Sequence, residues 1–125
     1  MKAIITKNAP QAVGAYSQGQ LAGNTLYVSG QIPFVPETIT LISQNIKEQT
    51  QQCLDNILGI VKEAGMTKEN IVRCTVYMTN LTDFPLMNEV YGAFFGDHKP
   101  SRAAVGVVAL PKNVQIEIDA IAVKE

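Results

Sequence analysis

Two charged residues lie in the otherwise apolar last quarter of the chain. Arg102 opens an almost uncharged segment, and Glu117 lies inside the apolar segment of residues 114–123. A guanidinium or carboxylate that a sheet buries needs a partner, because desolvation of a charge costs free energy. The planar fork of Arg102 matches a carboxylate bidentately, and that carboxylate can belong either to Glu117 or to a small ligand. The pattern therefore leaves two interpretations open, a structural ion pair and a small-acid site.

The thiols and the single histidine indicate less chemistry. Cys53 and Cys74 fall on the apolar phases of a helical and a strand pattern and lack CxxC spacing, which favours reduced core thiols over a redox pair. His98 is the only histidine, so the sequence excludes a multi-histidine metal cage. Its polar GDHKP surroundings are typical of a solvated loop residue.

The composition indicates an ordered globular chain. It has 125 residues, 46% of them hydrophobic and 17% charged, with a net charge of -1, which predicts one domain over residues 1–125. The basic residues are scattered, so we expect no nucleic-acid partner. The first residues are too briefly apolar for a signal peptide, and no apolar run approaches membrane-spanning length. We therefore expect a cytoplasmic protein with no membrane partner.

Apolar periodicity predicts two helices. In residues 43–64 apolar side chains recur at three and four positions, and Gly65 follows as a C′ residue. A second helix should begin with Thr82 or Asp83 as its cap and end at Gly96. Its predicted apolar face consists of Phe84, Met87, Val90, Tyr91, Phe94 and Phe95.

Alternating and β-branched segments predict the strands. They cover residues 25–32, with a hairpin partner just before, and residues 71–79, 103–109 and 114–123. The last two are expected to form an antiparallel hairpin around the LPKN turn, which would bring Arg102 and Glu117 near one another. Helices covering one face of a sheet predict a two-layer α+β sandwich. The uncovered face would carry polar residues that meet water or a neighbouring subunit: Arg73, Thr75, Tyr77, Gln115, Glu117 and Asp119.

Several motifs in order carry a resemblance to a known family. They are GAYSQG at residues 14–19, YVSGQIP at 27–33, the helix ending in EAG at Gly65, VYMTNLTDFPLMNEVYGAFF at 76–95 and PSRAAVGVVALPKNVQIEIDAIAV from Pro100. The chain resembles the RidA/YjgF family of reactive-intermediate deaminases over nearly its whole length. The resemblance implies a chorismate-mutase-like α+β fold with a mixed sheet and a homotrimer with active sites between subunits. It also implies hydrolysis of 2-imino acids, such as 2-iminobutanoate and 2-iminopropanoate, to 2-oxo acids and ammonia, without a cofactor or metal.

The resemblance also assigns roles to two charged residues and to two others. Arg102 matches the family arginine that binds the substrate carboxylate, and Glu117 matches the acid that places the attacking water. Tyr16 matches a mobile-segment tyrosine near the pocket, and Asn88 matches an asparagine that lines it. Structural roles stay open for three of them: Glu117 as a brace for Arg102, Tyr16 as packing between subunits, and Asn88 as a helix-surface residue.

Three further features complete the implied site or depart from the family pattern: one turn, one alanine and one loop. The turn containing Ser29 and Gly30 matches part of the pocket wall. Ala104 stands where many relatives have Cys or Thr, but the implied role there belongs to the backbone carbonyl, which alanine keeps. The loop of residues 36–43 lacks the glycine common after the family's Pro-x-Thr, so the shape of that loop is expected to differ.

Two other classes of function remain. A non-catalytic protein that binds small carboxylates could keep the fold and Arg102 without turnover. A ribonuclease or translation inhibitor, a description attached to some relatives, fits less well, because the chain has neither a basic groove nor a histidine pair.

Overall fold

A computed structural model describes all 125 residues and contains one six-stranded mixed sheet in the order β1-β2-β3-β8-β6-β7, a separate two-stranded sheet, β4-β5, and two long helices. The elements are β1 (Lys2–Ile4), β2 (Gly19–Ala22), β3 (Thr25–Gln31), β4 (Phe34–Val35), β5 (Thr40–Leu41), α1 (Ile46–Glu63), β6 (Ile71–Met78), α2 (Phe84–Phe95), β7 (Ser101–Gly106) and β8 (Ile116–Val123). Both helices cover the same face of the large sheet. The predicted two-layer α+β sandwich is confirmed.

The helices begin and end where local chemistry predicts. The Asn45 side chain accepts a hydrogen bond from the Glu48 amide at 3.1 Å and caps α1, and Gly65 follows the helix with a φ of 77°. Asp83 precedes α2, and Gly96 stops it with a φ of 62°. The buried stripe of α1 packs on the sheet, where each fully buried aliphatic side chain stabilises the fold by about 1.5 to 3 kcal/mol.

The predicted hairpin of the last two strands is wrong. Strand β7 pairs only with β6, in parallel, and β8 lies between β3 and β6 as an antiparallel partner of both. Helix α2 connects β6 to β7, and a strand-helix-strand segment of this kind joins parallel neighbours because the helix crosses over the sheet. The residues around LPKN therefore carry the chain from the sheet edge back to its centre instead of making a tight hairpin.

Strand β3 contains a bulge at the SGQ segment. Val28 pairs with Ala120 and Gln31 pairs with Ile118, so β3 has one more residue than β8 across this interval. The Ser29 amide donates to the Gln18 carbonyl at 3.0 Å, and its hydroxyl donates to the Ser17 carbonyl at 2.6 Å. The bulge thus removes Gly30 from the regular ladder of hydrogen bonds, and Ser29 connects the bulge to the segment that precedes β2.

A buried asparagine fixes the loop that follows the bulge. The Asn56 amide on α1 donates to the carbonyls of Ile32 and Phe34 at 3.2 and 3.0 Å. Buried carbonyls left without donors cost about 1 to 3 kcal/mol each, so these bonds hold the loop against the helix. Neither helix is long and apolar enough to cross a membrane.

Candidate active site

Arg102 lies on the edge strand and is held by one face of α2. Its Nη1 donates to Asn88 Oδ1 at 2.7 Å, and its guanidinium carbon lies 4.8 Å from the Tyr91 ring centre and 5.4 Å from that of Phe84. Phe84, Asn88 and Tyr91 follow a spacing of i, i+4 and i+7, which places them on one side of the helix. The helix therefore fixes the guanidinium plane by stacking and by one hydrogen bond.

The other donors of Arg102 point to an anion site. The single salt bridge of the chain joins Lys47 to Glu89, so no carboxylate of the same chain neutralises Arg102. A cavity of about 400 Å³ opens beside it, lined also by Asn88, Tyr91 and His98. A planar guanidinium with unused parallel donors binds a carboxylate better than a point charge does.

His98 is not the solvated loop residue that the sequence indicated. It is half-buried, its Nε2 lies 2.6 Å from the Ile71 carbonyl oxygen, and its ring packs edge-on against Phe95. Because a carbonyl only accepts, Nε2 carries the proton and is occupied by this bond. His98 therefore fixes the loop between α2 and β7. The two cysteines are free and buried, as predicted.

Glu117 lies in a different environment. It is half-buried on β8 beside the β3 bulge, and a Cβ at position 30 would collide with its carboxylate. Burial raises the pKa of Glu117, and the neighbouring charge of Asp119 raises it further. Asp119 itself accepts a hydrogen bond from the Tyr77 hydroxyl at 3.0 Å. A carboxylate with a raised pKa is suited to accept a proton from water.

Tyr16 and Gly30 line a second cavity, of about 260 Å³, whose walls also include Ile32 and Phe34. Tyr16 is half exposed, since 53% of its surface meets solvent. Ser29 lies beside this cavity through the bulge and holds the segment that carries Tyr16. Four of the predicted site residues, Tyr16, Ser29, Gly30 and Glu117, thus form one group, which we call the glutamate cluster.

The remaining predicted residues form the arginine cluster: Arg102, Asn88 and Ala104. Ala104 lies two residues after Arg102, on the same face of β7. Because β7 is an edge strand, some of its backbone groups have no partner in the sheet, which is compatible with a backbone role for Ala104.

The two clusters lie on opposite faces of the sheet. Arg102 is level with Cys74 and Ala120, which are buried beneath the helices, whereas Glu117 is level with Tyr77 and Val105 on the uncovered face. Side chains alternate between faces, so residues in these two rows cannot share a side. The expectation that Arg102 and Glu117 lie near one another within the chain is therefore wrong, because it depended on the hairpin.

Some contacts that we did not predict can be recognised afterwards in the sequence. Gly30 inside a strand pattern indicates a bulge or a close approach, and both occur. The i, i+4, i+7 spacing on α2 indicates one helical face, although it does not show that Arg102 stacks there. The influence of Asp119 on Glu117 follows from their separation of two residues on one strand.

Comparison with known proteins places this arrangement in a family. The Endoribonuclease L-PSP family profile matches residues 6–124. A RutC family protein of Pyrococcus horikoshii is 49% identical over 122 residues, covering 98% of this chain and 97% of that protein. The 2-iminobutanoate/2-iminopropanoate deaminase of Escherichia coli K12 is 45% identical over 126 residues, covering 98% of each chain. The chain belongs to the RidA/YjgF family.

The fold comparison agrees with the sequence comparison. The crystal structure of Escherichia coli TdcF with bound serine has a TM-score of 0.96 and 41% sequence identity, and the match covers 100% of both chains. Because the match covers the whole chain, it includes strands β7 and β8, whose pairing the sequence did not predict.

The raised pKa of Glu117 predicts a shift in the pH profile of this RidA/YjgF protein. A general base works only when ionised, so any hydrolysis in which Glu117 is the base should slow as the pH drops through the pKa of Glu117. Asp119→Asn removes the neighbouring charge that raises this pKa and keeps an acceptor for Tyr77. The acid limb of kcat/KM should therefore move to lower pH.

The control for this shift is Asp55→Asn, an exposed change on α1. It should leave the acid limb of kcat/KM unchanged. An acid limb that stays in place in Asp119→Asn would show that the profile does not report on Glu117.

Gly30 should be essential because it leaves room for the Glu117 carboxylate. Gly30→Ala adds a methyl group where that carboxylate lies, so the Glu117 side chain must rotate away from its present position. We expect a fall in kcat of about 10²-fold, in the range of general acid/base contributions, with the fold retained by circular dichroism. The double variant Gly30→Ala/Glu117→Ala should be no slower than Glu117→Ala alone, because both changes remove the same group. Additive losses would contradict this explanation.

Proposed function

We propose that this chain is an imine deaminase that hydrolyses small 2-imino acids, including 2-iminobutanoate and 2-iminopropanoate, to 2-oxo acids and ammonia. The observation that carries the proposal is the stacked Arg102 guanidinium, whose free donors face a cavity and have no carboxylate partner in their own chain. A fixed guanidinium of this kind binds the carboxylate that every 2-imino acid carries. We also propose that residues 1–125 form one domain. The cytoplasmic location that the sequence suggests stays a prediction.

The chemistry needs little beyond orientation and one base. The carbon of a protonated imine is already electrophilic, so it requires a fixed carboxylate and a directed water. Glu117 accepts a proton as the water oxygen bonds to C2 and the C=N double bond becomes a single bond. The same proton then passes to the nitrogen. As the C–N bond breaks, the hydroxyl on C2 gives its proton to Glu117 and the C2–O bond becomes a carbonyl, so that a 2-oxo acid and ammonia leave. Ammonia takes this last proton as ammonium, which restores the carboxylate of Glu117. General acid/base catalysis of this kind contributes about 10²- to 10⁴-fold.

The opposed faces imply that each site draws on two subunits. A substrate held by Arg102 of one chain cannot reach Glu117 of the same chain, which lies across the sheet. The uncovered face carries exposed Tyr27 and Val105 beside its polar residues, and it offers a surface on which copies of the chain can pack. We propose a homotrimer in which the arginine cluster of one subunit faces the glutamate cluster of the next.

Two comparisons support the substrate class. Relatives from Escherichia coli and from rat, both 45% identical to this chain, carry the name 2-iminobutanoate/2-iminopropanoate deaminase. The TdcF structure contains serine, a small amino acid whose carboxylate is the group that Arg102 is proposed to bind.

A binding protein without turnover is the second candidate, and bound serine in a relative is the observation that favours it. The two candidates differ only in turnover, so both depend on Arg102, and only the enzyme depends on Glu117. A ribonuclease receives no support from the site. His98 is the only histidine, and its Nε2 is hydrogen-bonded to the Ile71 carbonyl, so no histidine pair exists for acid/base cleavage.

Arg102→Ala should abolish both imine hydrolysis and binding of 2-oxobutanoate. Arg102→Lys should recover little of either, because a point charge does not replace the planar fork. Imines generated in situ by an amino-acid dehydratase and calorimetry with 2-oxobutanoate give the two readouts. The matched control is Arg73→Lys, which changes the only other arginine and keeps its charge. Full hydrolysis by Arg102→Ala would exclude the assignment, and binding without turnover in the unmodified protein would favour the binding protein.

Mixed subunits test whether the site lies between chains. Glu117→Gln should keep the fold and 2-oxobutanoate affinity and lower turnover by roughly 10²-fold, because an amide cannot accept the proton. Arg102→Ala and Glu117→Gln subunits, unfolded and refolded together, should regain about a quarter of the native activity, since random assembly pairs an intact arginine with an intact glutamate at that fraction of interfaces. Light scattering should report a trimer throughout. No recovery in mixed trimers would place both residues of a site in one chain.

A further inference from the structure

The turn between β4 and β5 holds an isoleucine in a left-handed backbone conformation. Ile39 has a φ of 54°. A β-branched residue is among the least suited to this region, because its Cβ substituents crowd the following carbonyl. The other two non-glycine residues with positive φ, Lys112 and Asn113, are not β-branched. Glycine would take the same turn without this strain.

Nothing in the turn itself requires an isoleucine side chain. The hydrogen bond that closes the turn uses the Ile39 backbone, whose amide donates to the Val35 carbonyl at 2.8 Å. The hydroxyls of Thr38 and Thr40 bond to each other at 2.7 Å beside it. The Ile39 side chain does not belong to the hydrophobic core and is 39% exposed, so its burial is incomplete.

Ile39 instead lines two neighbouring cavities, one of which is the cavity of the glutamate cluster. That cavity has Tyr16 and Gly30 on its wall, and its apolar part consists of Ile39, Val13, Ile32 and Phe34. Glu117 does not line this cavity itself, but it lies against Gly30, which does, so the apolar wall is one residue away from the proposed base. A strained residue at the rim of a site is retained when its side chain contributes there.

We propose that Ile39 is a specificity-determining residue that provides the outer end of an apolar wall for the side chain of the 2-imino acid. The inference rests on the proposed function and extends its substrate class to imino acids with branched or longer apolar side chains, such as the isobutyl group derived from leucine. A methyl side chain is too short to reach the rim, so Ile39 discriminates by chain length. The strained backbone of Ile39 is what allows its side chain to contact the substrate side chain.

The experiment compares two substrates in the intact oligomer. Ile39→Gly and Ile39→Asn both suit a positive φ and remove the apolar side chain. We measure kcat/KM for 2-iminopropanoate and for 2-imino-4-methylpentanoate, each made in situ by an amino-acid oxidase. The ratio of the second value to the first should fall about 10-fold in both variants, since a few methylene contacts in an apolar pocket give discrimination of this order. The value for 2-iminopropanoate should stay within about 2-fold of the unmodified protein.

Stability gives a second, independent readout. The midpoint of urea unfolding should stay the same or rise in Ile39→Gly, because the strain is removed. Ile42→Ala is the matched control, since Ile42 is also 39% exposed and does not line this cavity. It should leave the substrate ratio unchanged.

The outcomes separate the two proposals. An unchanged ratio in both Ile39 variants, with an active parent protein, overturns the role of Ile39 and leaves the deaminase intact. A lower urea midpoint in both variants assigns Ile39 to structure and also overturns the inference. A parent protein that neither hydrolyses these imines nor binds 2-oxobutanoate overturns the proposed function and the inference together.

Discussion

The parallel pairing of β6 with β7 determines where each charged residue can act. Because α2 must cross the sheet to make the strands parallel, it lies directly over the edge strand and brings Asn88 and Tyr91 onto Arg102. The same pairing puts β8 inside the sheet, where Glu117 faces away from the helices. An antiparallel hairpin would have allowed an internal ion pair. The observed topology instead keeps both charges free of each other, and a free, oriented guanidinium is what an anion site requires.

The β3 bulge has a comparable role for the carboxylate. An extra residue on β3 removes Gly30 from the ladder, and the missing Cβ at that position gives Glu117 its space. Anchoring bonds from Ser29 to the preceding segment and from Asn56 to the following loop make the bulge rigid. The wall around Glu117 is thus fixed by hydrogen bonds from two side chains, Ser29 and Asn56, to backbone carbonyls.

Local chemistry in the sequence predicts the elements, but it does not predict strand pairing. Both helices, with Gly65 and Gly96 at their ends, follow from periodicity and capping, because those signals act over a few residues. The position of β8 between β3 and β6 depends on contacts across most of the chain, and alternation in residues 114–123 fits an edge or a centre equally well. The wrong pairing also predicted Arg102 near Glu117, whereas the two residues lie on opposite faces of the sheet. Arg102 and Glu117 stand out from their pattern in the sequence, whereas the other site residues follow only from the family resemblance, and the whole set stays a prediction.

Three positions in the glutamate cluster or at its rim break local rules. Glu117 is a half-buried carboxylate with a raised pKa, so its ionised form costs folding free energy at neutral pH. Gly30 weakens a strand, and Ile39 strains a turn. Sequences that fold efficiently usually satisfy such rules throughout, and exceptions concentrate where function requires them. The arginine side of the site has an exception of its own, because the buried hydroxyl of Tyr91, whose ring stacks on Arg102, has no hydrogen-bond partner. Both halves of the proposed site therefore contain groups that folding alone does not favour, and substitutions that improve stability should be found in both.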